Sequence, residues 1–115
     1  MISRNHRFHG LGSLRFAYTR GITVRAHGVS MKFSENKKQT SYRLAIVVSK
    51  KVSKSAVVRN RIRRRMFEAF RVYDHKISKP MDMVVTVYNE ELASLPSKEI
   101  DSIVKNLLHQ ASVIL

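Results

Sequence analysis

Eight cations and no acid lie between residues 50 and 65: Lys50, Lys51, Lys54, Arg59, Arg61, Arg63, Arg64 and Arg65. Side chains of this kind at this density bind anions. Like charges three and four residues apart on a helix repel by a few tenths of a kcal/mol per pair, and solvated helix faces normally mix signs. Only Glu68 offers relief nearby, so the cluster calls for an external polyanion. Arginine predominates, and its planar fork grips phosphate oxygens in pairs or stacks on a base, which suits structured RNA better than charge neutralisation alone. Asn60 brings a donor and an acceptor for a base edge or a ribose hydroxyl. The start of a helix beside Lys50, Lys51 and Lys54 adds backbone N–H groups as a second phosphate site.

Other chemistries find no support. The chain has no cysteine, which removes disulfides, thiolate metal sites and thiol nucleophiles. Its histidines, at 6, 9, 27, 75 and 109, are scattered without carboxylate partners, so no protein metal site is expected. The glycines at 10, 12, 21 and 28 form no phosphate loop. Glu90 and Glu91 sit in a polar break and read as solvated turn residues, so no catalytic residue is assigned.

Charge is also uneven along the 115 residues, whose formal net charge is +14. Residues 1–79 hold 20 basic and 3 acidic side chains, whereas residues 80–115 hold 2 and 5. A polyanionic partner is therefore expected on the surface built by the first two thirds. No run is long enough for a signal peptide or a membrane span, and the basic cluster lies within an apolar-rich chain, so no membrane partner is expected and the chain reads as cytoplasmic.

A helix from about residue 53 to Tyr73 must carry the cluster. Val58, Ile62, Met66, Ala69 and Tyr73 recur at three- and four-residue steps and form its buried stripe, with Ser53 or Ser55 as cap. Before it, Tyr42–Ser49 contains Leu44-Ala45-Ile46-Val47-Val48 and reads as a largely buried strand. The chain turns extended from Ile22, and Val29, Met31 and Phe33 alternate with Ser30 and Lys32 as in a strand with one wet face. Met81–Tyr88 is another strand, and Pro96 opens a helix with Ile100, Ile103, Val104, Leu107, Leu108 and Ala111 on one stripe. A short helix over Ser13–Arg20, stopped by Gly21, precedes them all. The expected fold is α+β: one domain over residues 1–115, a sandwich of about four strands covered by helices in the order α-β-β-β-α-β-α.

The stretch Arg43–Arg71, RLAIVVSKKVSKSAVVRNRIRRRMFEAFR, resembles the hallmark segment of the bacterial ribonuclease P protein component. A buried strand ends in SKK, and a short connector leads to a helix bearing RNR. Arg7-Phe8, Tyr18 followed by Gly21, and the later strand and helix extend the likeness over most of residues 6–113. The resemblance implies a mixed sheet with a left-handed βαβ crossover, as in the ribosomal protein S5 domain 2-like fold, although pattern alone favours the right-handed form. It implies binding to a large catalytic RNA through Lys50, Lys51, Lys54, Arg59, Asn60, Arg61, Arg63 and Arg64. It further implies a cleft between sheet and first helix for the 5′ leader of precursor tRNA, lined by Leu14, Tyr18, Met31 or Lys32, Arg43, Val47 and Ser49. Cleavage belongs to the RNA and its magnesium, with no cofactor bound by the protein alone and one protein per RNA.

Some positions depart from the family pattern. Leu14 stands where Phe is usual and Lys32 where an aromatic is common, so two stacking platforms for leader bases are replaced. Arg65 and Phe67 occupy places where Leu and Arg are usual. Tyr18 has an equal alternative as a core-edge residue. The competing function is a non-enzymatic protein of ribosomal or other structured RNA. A helix-turn-helix DNA module fits poorly, because a strand and not a partner helix precedes the basic helix.

Overall fold

The computed structural model describes residues 22–35, 41–77 and 80–111. Strands β1 (Ile22–Ala26) and β2 (Val29–Glu35) form an antiparallel hairpin, followed by β3 (Arg43–Val48), helix α1 (Ala56–Arg71), β4 (Met81–Val87) and helix α2 (Ser97–Gln110). The expected helix over Ser13–Arg20, with Leu14 and Tyr18, lies outside the described residues. Sheet order is β1-β2-β4-β3: β4 inserts between the hairpin and β3, antiparallel to β2 and parallel to β3. The four-stranded mixed sheet and the two long helices agree with the α+β reading.

Strand register sorts the side chains onto two faces. One face carries Val24, Met31, Val85 and Ile46 across the four strands, with the flanking set Ala26, Val29, Val87 and Val48 beside it. Both helices close over this face: Ile62, Met66 and Phe70 from α1 and Ile100, Ile103, Val104, Leu107 and Leu108 from α2 are buried in the same core. The opposite face carries the row Arg25-Ser30-Thr86-Val47, then Thr23-Lys32-Val84-Ala45, then Ser34-Asp82-Arg43. Asp82 and Val84 on that face are also buried. Burial on both faces explains why β4 reads as a continuous apolar run with a single acid in it.

Element ends differ from the sequence reading by a residue or two. The helix ends at Arg71 because the chain tightens there: Val72 N–H reaches both Glu68 and Phe70 carbonyls, and Tyr73 N–H donates to the Phe70 carbonyl at 2.9 Å. Tyr73 is buried all the same, its hydroxyl donating to Asp101 at 3.1 Å. Phe70, rather than Ala69, completes the buried stripe, with Val58 and Ala69 packed at its edge. Tyr42 precedes β3 and is buried, with its hydroxyl on the Asp74 carboxylate. Burial, and then that contact, push the Tyr42 phenol above its ordinary range, so it stays neutral. Ser30, read as wet, is 6% exposed because Tyr88 covers it, with 3.0 Å between the two hydroxyl oxygens.

The β1–β2 turn requires glycine at one position. Gly28 has φ +68°, and a Cβ there would stand 2.9 Å from the Asn89 Cβ. Its carbonyl accepts from Tyr88 N–H at 2.8 Å, which fixes the end of β4 beside the turn.

Candidate nucleic-acid interface

Both serines proposed as caps are used. Ser55 accepts from Val58 N–H at 3.3 Å, and Ser53, itself buried, accepts from Ser55 N–H at 3.2 Å. Arg59 donates to the Ser53 carbonyl at 2.9 Å and ties the first turn of α1 to the connector. Lys50, Lys51 and Lys54 are exposed around this connector, and no acid occupies the first turn of the helix. Outward-pointing backbone N–H groups and three ammonium groups thus share one end of α1.

Along α1 the arginines divide by what they already hold. Arg63 donates to the Asn60 side-chain amide oxygen, Oδ1, on one flank. Arg65 donates to the Leu92 carbonyl at 2.8 Å and to the Leu95 carbonyl, and so clamps the helix to the short 3-10 turn at Glu90–Ala93 and the segment after it. Arg71 pairs with Glu68 at 3.1 Å, an exposed contact of small energetic weight. Arg61 and Arg64 are exposed, and no hydrogen bond or ion pair joins either to a described residue. Both line a groove of about 480 Å³ between α1 and the start of α2, together with Arg65, Glu68, Ala69, Val72, Ser97 and Ile100. Two uncommitted cations beside Ala69, Val72 and Ile100, in a groove whose one acid, Glu68, already pairs with Arg71, suit a phosphate with its sugar or base.

Arg65 therefore belongs to the fold more than to the interface. Its change to methionine, which keeps the aliphatic stem, is expected to cost about 2 kcal/mol, the usual worth of hydrogen bonds from a charged group. Urea unfolding would register that loss, while the salt dependence of RNA binding should stay as in the parent chain.

The residues expected to line a leader cleft are not all together. Lys32, Arg43 and Val47 lie on the face of the sheet turned away from α1 and α2, in adjacent rows. Val47 is exposed there, and Ser49, just beyond β3, is exposed too. Met31 is on the other face: it pairs with Val85, is fully buried in the core, and cannot line a cleft with Lys32. Strand alternation separates the two neighbours. Arg43 makes a bidentate pair with the buried Asp82, both N–O distances being 2.8 Å.

Sequence reading missed this pair, the clamp made by Arg65, and Tyr88, exposed on the same face as Lys32. One signal was available. Asp82 inside an apolar strand demands a cation, but choosing Arg43 requires the parallel register of β3 and β4.

Comparison with known proteins adds to the geometry. The family model described as Ribonuclease P matches residues 2–112. A ribonuclease P protein component from Pseudanabaena sp. is 34% identical over 115 residues, covering 99% of this chain and 97% of its own length. The RNase P protein of Staphylococcus aureus superposes with a TM-score of 0.83 at 26% identity, over 96% of this chain and 98% of that one. The Thermotoga maritima RNase P protein gives a TM-score of 0.79 at 25% identity, over 90% and 96%. With the basic helix, the mixed sheet and the match along nearly the whole length in agreement, the chain belongs to the ribonuclease P protein family.

Proposed function

We propose that this chain is the protein subunit of a ribonuclease P, one copy per catalytic RNA in the cytoplasm, assisting removal of the 5′ leader from precursor tRNA. The observation that carries the reading is the pair of uncommitted guanidinium groups, Arg61 and Arg64, on a helix whose start is ringed by Lys50, Lys51 and Lys54. Arg59, Asn60 and Arg63 complete that surface toward the catalytic RNA. Lys32, Val47 and Ser49, with Leu14 and Tyr18, form the side toward the leader, and Arg43 shapes it through Asp82.

Phosphate groups crowded between two RNAs repel one another, and cations set at fixed positions lower that cost. Magnesium belongs to the RNA in this reading and supplies the hydrolytic chemistry there. The chain's own share is charge and position. Reconstitution with a bacterial ribonuclease P RNA is expected to restore leader cleavage at low magnesium and to favour leader-bearing over mature tRNA. A chain that changed neither the magnesium requirement nor substrate affinity, yet bound ribosomal RNA tightly, would instead be a structured-RNA protein of another kind.

A further inference from the structure

The outer face of the sheet carries Lys32 on β2. The structure carries an aromatic elsewhere on the same sheet face. Tyr88 follows β4 directly, and the residue is 60% exposed. Its backbone is held by the Gly28 carbonyl, while its hydroxyl meets Ser30 Oγ at 3.0 Å. Ser30 lies two residues along β2 from Gly28, so the ring is laid back along the sheet and held at both ends. Thr86 and Val47 flank Ser30 on one side in the register, and the exposed Arg25 flanks it on the other.

We propose that Tyr88 is a stacking platform for one unpaired base of the RNA strand that crosses this face, with Arg25 beside it on the adjoining phosphate. The inference rests on reading this face as the leader side. A phenol already fixed by Ser30 loses little freedom on binding, and every base offers a π-face to it. The guanidinium of Arg25 has no hydrogen bond or ion pair to a described residue and sits two strands from β4, about 10 Å across the sheet, within reach of the next phosphodiester. The platform stands at the Val47 end of the face, one row beyond Lys32, so its base is a different one from any held at Lys32.

The test uses the protein reconstituted with ribonuclease P RNA and precursor tRNAs carrying single abasic sites along the leader. Tyr88→Ala is expected to weaken binding of intact precursor about tenfold, as loss of one base–aromatic stack does. Affinity for mature tRNA should not move. Tyr88→Phe, which keeps the ring, should recover most of the loss. One abasic position should cost the parent chain about as much as Tyr88→Ala does and cost that variant nothing further. If parent and Tyr88→Ala respond alike to an abasic site at every leader position, the platform is refuted while the leader reading stands. If the parent itself binds leader-bearing and mature tRNA equally, both fall together.

Discussion

Replacing Arg61 and Arg64 together by glutamine is expected to weaken the chain's affinity for ribonuclease P RNA about a hundredfold at roughly 0.15 M salt. Each guanidinium–phosphate contact contributes on the order of 1.5 kcal/mol or more, and 1.4 kcal/mol is a factor of ten. Neither side chain holds a described residue, so the folded state loses nothing in exchange and the unfolding midpoint should stay within a few degrees. The dependence of log affinity on log salt should also shallow by about two contacts' worth.

Arg59→Gln and Arg63→Gln provide the contrast. Arg59 already donates to the Ser53 carbonyl and Arg63 to Asn60, so part of each loss falls on the connector and the helix surface instead of on RNA. Titrations over a potassium chloride series separate the pairs. An unchanged slope in the Arg61/Arg64 variant would mean that RNA does not run along the α2 side of the helix, whatever happens to affinity.

What the sequence made legible follows from how local each feature is. The stripe Ile62, Met66 on α1 and the stripe on α2 are set by helical period, and both are buried as that period requires. The Arg cluster is contiguous in the chain, so its surface needed no tertiary knowledge. Its division of labour did. Arg61 and Arg65 are one helical turn apart and look equivalent in the sequence, yet one is free and the other is anchored on carbonyls about thirty residues downstream. On the sheet, Met31 and Lys32 are adjacent in sequence and opposite in space; alternation alone set Lys32 on the wet face, but only the register shows which residues share that face with it. Tyr88 was hidden for the same reason: its meaning comes from Ser30, 58 residues away.

The second large effect falls on stability and decides what Arg43 does. Arg43→Ala is expected to destabilise the fold by about 3–5 kcal/mol, the cost of breaking a buried pair from one side. That is a large part of the 5–15 kcal/mol that typically holds a domain together. The carboxylate left behind is 1% exposed and loses a two-pronged donor, whereas Arg43 itself is 11% exposed. Arg43→Lys keeps the charge but not the fork and should fall between parent and alanine variant. Replacing both partners by apolar residues of similar volume, Arg43→Met with Asp82→Leu, should recover most of the loss, because the two charges are then removed together. Urea unfolding measures all of these. The double variant then separates two roles that a single substitution confounds. If Arg43 only holds β3 to β4 in register, the folded double variant binds leader-bearing tRNA like the parent. If its guanidinium also meets the leader, the double variant stays folded and loses affinity for that substrate alone. The bidentate geometry favours the first result, since two of the guanidinium's N–H donors already point into the sheet.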